Sequence, residues 1–125
     1  MKFDDIKEIG RKAEEGAWVD GLANFNGVAF KVRAQMNQDH EALFTKRWGE
    51  IPADKRDDPE VTERIDNECI IKTILLDWKG IDDFECTPSN VEKALEIRTF
   101  KQAVVTASRI VATRGRDTLE ADAGN

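Results

Sequence analysis

The sequence predicts a mainly α fold of the α+β class, with four to five helices and a small N-terminal β-hairpin. Three observations carry this. Apolar residues recur at helical spacing over most of the chain. One short segment, VAFKVR (28–33), alternates instead. Strong start and stop signals, Asp58-Pro59, Gly80 and Thr87-Pro88, divide the helical stretches. A chain of 125 residues reads as a single helical domain over 1–114, followed by a flexible polar tail at 115–125.

The elements follow in order. Phe3, Ile6, Gly10 and Ala13 fall near one face of a first helix, which Gly16 stops. The runs AWV (17–19) and VAFKVR (28–33) form a hairpin over about 17–34. Val28, Phe30 and Val32 point one way, and Ala29, Lys31 and Arg33 the other. The connection holds Asp-Gly and Asn-Gly, both turn signals. An isolated hairpin is marginal in water, so this one leans on helices or pairs with another chain.

Asn37 caps a helix running to about Trp48, with Leu43, Phe44 and Trp48 on its apolar side and Gly49 and Pro52 ending it. A charged linker, PADKRDD (52–58), precedes the longest predicted helix, 59–78, which Asp58, Pro59 and Glu60 open. Val61, Ile65, Cys69 and Leu76 lie on one stripe of that helix; Ile70, Ile74 and Trp78 lie well round from it. Its second half is then apolar nearly all round, and must be central or covered by another subunit. Gly80 ends it, and IDDFEC (81–86) turns the chain. Thr87 and Pro88 open a helix with Val91, Ala94 and Leu95 inward. The last helix, about 99–113, carries the stripe Phe100, Ala103, Val104, Ala107, Ile110 and Val111.

The chemistry-bearing residues are sparse. Nineteen Lys and Arg against 25 Asp and Glu give a net charge of −6, which argues against non-specific nucleic-acid binding. The opening MKFDDIKEIG does not read as a signal peptide, and no run approaches the roughly 20 apolar residues of a membrane span. Cys69 and Cys86 then read as free thiols in a reducing cytoplasm, with Cys69 in the core. His40, the sole histidine, lacks the partners of a zinc site and reads as a surface or interface residue. Asp82, Asp83 and Glu85 do not follow the calcium-loop pattern and read as a solvated loop. No phosphate-binding glycine loop is present. Arg109, Arg114 and Arg116 read as cations favouring a helix C-terminus. No catalytic, cofactor or metal residue is expected, and the chain reads as non-enzymatic.

Three tryptophans, at 18, 48 and 78, stand in a chain without tyrosine, and Trp dominates interface hot spots. Core packing would use them equally well. Trp78, Ile70, Ile74, Trp48 and Phe44 are the expected residues for self-association or partner contact.

LLDWKGI (75–81), a short loop, and TPSNVEKAL (87–95) together resemble the tail assembly chaperones of long-tailed bacteriophages. Trp18-Val19, VAFKVR and the Asn37 helix start extend the likeness over about 17–113. The chain departs from that pattern at His40, where the family suggests an aromatic such as Tyr, at Val91, where Ala is common, and in its short 82–86 loop. The resemblance implies a helical, non-catalytic protein of a phage or prophage tail-gene cluster. Such a protein works in the bacterial cytoplasm during virion morphogenesis and is absent from the finished tail. It also implies binding to the tape measure protein and possibly the tail tube protein, with self-association, and without nucleic acid, membrane or cofactor. Two other readings are a small prophage adaptor or regulator that binds another protein, and a small enzyme using Cys86 or the acidic loop.

Overall fold

The computed structural model describes residues 1–114; the tail expected at 115–125 lies outside the described residues. Five α-helices accompany one three-stranded antiparallel sheet. Helix α1 spans Phe3–Glu15, β1 Ala17–Val19, β2 Ala29–Val32, α2 Gln38–Glu50 and α3 Pro59–Cys69. A π-helical turn, Ile70–Ile74, leads into β3, Leu75–Lys79; α4, Pro88–Leu95, and α5, Arg98–Arg114, are the last described elements. A short 3₁₀ turn, Ala53–Lys55, lies within the charged linker.

The hairpin forms as the alternation requires. Ala17, Trp18 and Val19 pair with Val32, Lys31 and Phe30. Val19, Phe30 and Val32 are buried on the inner face. On the outer face the Lys79 ammonium sits 4.3 Å from the Trp18 ring centre. The hairpin leans on α5 and on a third strand, which answers the marginal stability of two strands alone.

That third strand corrects the helix expected over 59–78. The helix starts as predicted, with the Asp58 carboxylate accepting from Glu60 N–H at 2.9 Å, but it stops at Cys69. Two carbonyls that would continue it are taken elsewhere. Thr73 C=O accepts from the Asn37 side-chain amide at 2.9 Å, and Ile74 C=O accepts from Arg33 N–H at 2.9 Å. The Thr73 hydroxyl bonds back to Cys69 C=O at 2.6 Å, which favours a bend. Ile70, Ile71, Thr73 and Ile74 are β-branched and fit extended backbone readily. The released chain pairs with β2: Ala29, Phe30 and Lys31 oppose Lys79, Trp78 and Asp77. A shift between Lys31 and Val32 brings Leu75 opposite Val32, so Leu76 is a bulge residue on the exterior. On the outer strand β3 the Asp77 carboxylate accepts from Trp78 N–H at 2.8 Å.

The main core lies between the inner face of the sheet and α4 and α5. Phe30, Phe100 and Trp78 meet edge to face, with Phe30 and Phe100 centroids 5.4 Å apart and Trp78 and Phe100 centroids 5.7 Å apart. Leu95, Val104, Ala107 and Val111 close around them, so the expected α5 stripe is the observed one. A smaller cluster, Ile51, Ile65 and Cys69 with Leu43, Phe44, Trp48 and Val61, joins α2 to α3.

Helix α1 departs from its expected face. Ala13 packs on the core, yet Phe3 and Ile6 are 72% and 51% exposed. Its C-terminal end is anchored: Ala13 C=O accepts from Ala34 N–H at 2.9 Å, and Arg33 bridges Glu14 and Asp39 at 3.5 and 2.8 Å.

Two glycines separate fold demand from tolerance. At Gly80 φ is +88°, and an added Cβ would lie 2.0 Å from Gly27 C=O. At Gly10, inside α1, an added Cβ would meet nothing within 4 Å. Gly80→Ala therefore lowers unfolding free energy by more than about 2 kcal/mol. Gly10→Ala raises it by about 0.5–1 kcal/mol. Urea titration of both variants checks the opposite signs.

Candidate protein-interaction groove

Asn37 fixes the start of α2. Its side-chain oxygen accepts from His40 N–H at 2.9 Å, and its amide nitrogen donates to Ala34 and Thr73 carbonyls, both at 2.9 Å. From this start, His40, Phe44 and Trp48 recur every four residues and share one face. Their rings stack in series. The His40–Phe44 centroids are 6.1 Å apart at 18°, and the Phe44–Trp48 centroids 6.0 Å apart at 9°. The Arg56 guanidinium lies 5.8 Å from the Trp48 ring centre. His40 thus supplies a flat ring to the stack. It is buried rather than on the surface, at 4% exposure.

Phe44 and Trp48 are half-buried and border a concavity of about 440 Å³, with Thr62, Ile65, Asp66 and Lys101 around it. Lys101 and Asp66 pair across it at 3.0 Å. Past Lys101 and Glu63 the surface continues into a second concavity of about 670 Å³ along α5, bordered by Leu95, Arg98, Gln102, Val105 and Arg109. The two adjoin at Glu63 and Lys101 along the seam of α2, α3 and α5, and are together called the groove. Arg47 of α2 bonds Glu68 of α3 and holds its carboxyl below the usual range, which fixes the angle between those helices.

The five expected contact residues divide. Phe44 and Trp48 line the groove. Ile70, Ile74 and Trp78 do not; they are 2%, 4% and 6% exposed, enclosed by their own chain. The inference that a second polypeptide must shield them rested on an all-round apolar helix. That helix gives way to a π-turn and a strand, which turn these side chains into the core. Trp78 Nε1–H donates to Phe84 C=O at 2.8 Å, and its ring stacks on Phe84. Its role is to hold the 81–86 loop. Groove residues missed by the expectation are Ile65, Arg98, Lys101, Gln102, Val105 and Arg109; the sequence set Ile65 on an apolar stripe of the predicted long helix and Arg109 among the cations favouring a helix C-terminus.

The thiols have little thiolate character. Burial, aided by Asp77, pushes Cys86 up to about 11, and burial also raises Cys69. Among the described residues, no group of three or more His, Cys, Asp and Glu could hold a metal, and no helix is long and apolar enough to cross a membrane.

Burial is also the main influence on His40 and lowers its pKa; Asp66 opposes it more weakly. Its Nδ1 accepts from Met36 N–H at 3.3 Å, which requires a neutral ring. The unfolded chain therefore binds this proton more readily. The stability that His40 contributes is present above its unfolded value of about 6.5 and is lost as pH falls through the range below it. His40→Phe keeps a stacked ring without the titration. The slope of urea midpoint against pH between neutrality and about pH 5.5 is expected to flatten in this variant. Equal slopes in both proteins would contradict the assignment.

Compared with models of known families, with characterised proteins and with solved structures, the chain matches none, so the groove is interpreted from its own residues.

Proposed function

We propose that this chain is a non-catalytic phage or prophage tail assembly chaperone that holds an amphipathic helix of the tape measure protein, and possibly a segment of the tail tube protein. The observation that carries the binding reading is the half-buried Phe44–Trp48 stack beside Ile65 in a concavity that also carries Asp66 and Lys101. Aromatic side chains held rigidly beside such a groove are suited to anchoring a helix. The tail-assembly part is supported by the resemblance of LLDWKGI and TPSNVEKAL. In this chain the first of those segments is a strand rather than a helix end, while the second opens α4 as expected, with Thr87 Oγ1 accepting from Asn90 N–H at 3.2 Å.

The physical need is plain. A long tape measure helix exposes apolar stripes that aggregate until covered. A carrier with net charge −6 keeps the complex in solution. Self-association belongs to the same proposal on the resemblance alone, since the buried Ile70, Ile74 and Trp78 no longer argue for it.

Co-expression with the tape measure protein of the same gene cluster is expected to give a soluble complex that co-purifies. Phe44→Ala combined with Trp48→Ala is expected to weaken it by at least about tenfold; because both rings also pack between α2 and α3, the milder pair Phe44→Leu, Trp48→Leu is measured beside it and circular dichroism checks that each variant folds. Absence of co-purification, or equal capture by the double variant, would overturn the reading. Capture of an unrelated regulatory protein in its place would favour the adaptor reading.

A further inference from the structure

The walls of the groove differ in charge. Helix α5 presents Arg98, Lys101, Val105 and Arg109 along it, a helical spacing that sets a cation near each end and an apolar residue between. The facing rim carries Glu63 and Asp66 of α3 and Glu96 of the α4–α5 link. Asp66 neutralises Lys101. Among the described residues no ion pair joins Arg98 or Arg109 to an acid. The backbone positions of Arg98 and Arg109 are about 16 Å apart along α5, at about 1.5 Å per residue. In a chain with six more acids than bases, an unneutralised arginine at each end of one groove wall is matched by carboxylates on what docks there.

We propose that the groove, read as the tape-measure site above, selects an amphipathic helix of about three to four turns. Its apolar stripe rests on Trp48, Ile65 and Val105. Its α5-facing flank carries two carboxylates, about three turns apart, that engage Arg98 and Arg109. The spacing of the two arginines fixes register, and each guanidinium can take a carboxylate in two parallel hydrogen bonds.

The test uses the full chain and fluorescein-labelled helical peptides of about 18 residues. They share a leucine stripe and differ only at two flank sites eleven residues apart, occupied by Glu, Gln or Lys. Fluorescence anisotropy is expected to rank Glu first, with Gln weaker by about tenfold or more. The gap closes in the double variant Arg98→Gln, Arg109→Gln, and the preference turns to the Lys peptide in Arg98→Glu, Arg109→Glu. Both arginines lie on the groove rim, and circular dichroism checks that the variants fold. Equal affinity for all three peptides, no saturable binding of any, or displacement of the Glu peptide by a short oligonucleotide at equal concentration would overturn the inference. The two readings separate. If the tape measure protein co-purifies equally with wild type and the Arg98, Arg109 variants, the charge rule falls and the chaperone reading stands. If the peptides rank as expected and the tape measure protein never co-purifies, the reverse holds.

Discussion

The buried side-chain amide of Asn37 is the contact on which the architecture turns. It accepts the His40 N–H in the first turn of α2, and it donates to Ala34 C=O and to Thr73 C=O. Each such bond contributes about 1 kcal/mol net, but an unpaired buried partner costs about 1–3 kcal/mol. The bond to Thr73 matters most because of what it prevents. With that carbonyl and the next one engaged, the chain cannot continue as α-helix, and it leaves through a π-turn into the sheet. The same residue therefore starts one helix and helps end another. The aromatic ladder on α2 and the third strand share this origin.

Much of the fold was legible in local chemistry. Asn37, Asp58 and Thr87 cap where their side chains suggested, the period-two run at Ala29–Val32 is a strand, and the α5 stripe is the core wall. The break at Cys69 was not legible in the same way. Ile-Ile-Lys-Thr-Ile-Leu-Leu satisfies a helical period as well as a strand, and no glycine or proline marks the change. The deciding contacts come from Arg33 and Asn37, more than thirty residues earlier, so a local window could not see them. The β-branched density at 70–74 was the one local signal.

The groove was half legible for a related reason. Phe44 and Trp48 stood out as large apolar residues on a short helix. Their partners sit on α3 and α5, and become neighbours only after the helices pack. Arg109 reads locally as a cation favouring a helix C-terminus, and nothing in the sequence marks Lys101 and Val105 as the wall of a groove. Moving Ile70, Ile74 and Trp78 inward also changes where a partner can bind. Under the proposed function, contact shifts from the end of a long helix to the seam between three helices, where stacked rings are pre-ordered and little side-chain freedom remains to be lost.

The carboxylate of Asp77, set against the N–H of Trp78, has an effect beyond its own strand. An outer strand with open donors is a template on which extended chains accumulate. Here one donor is already engaged, by a group whose negative charge also repels incoming carbonyl oxygens, and the Leu76 bulge breaks the flatness that stacking requires. The outer edge of the sheet is thereby a poor template for a second extended chain.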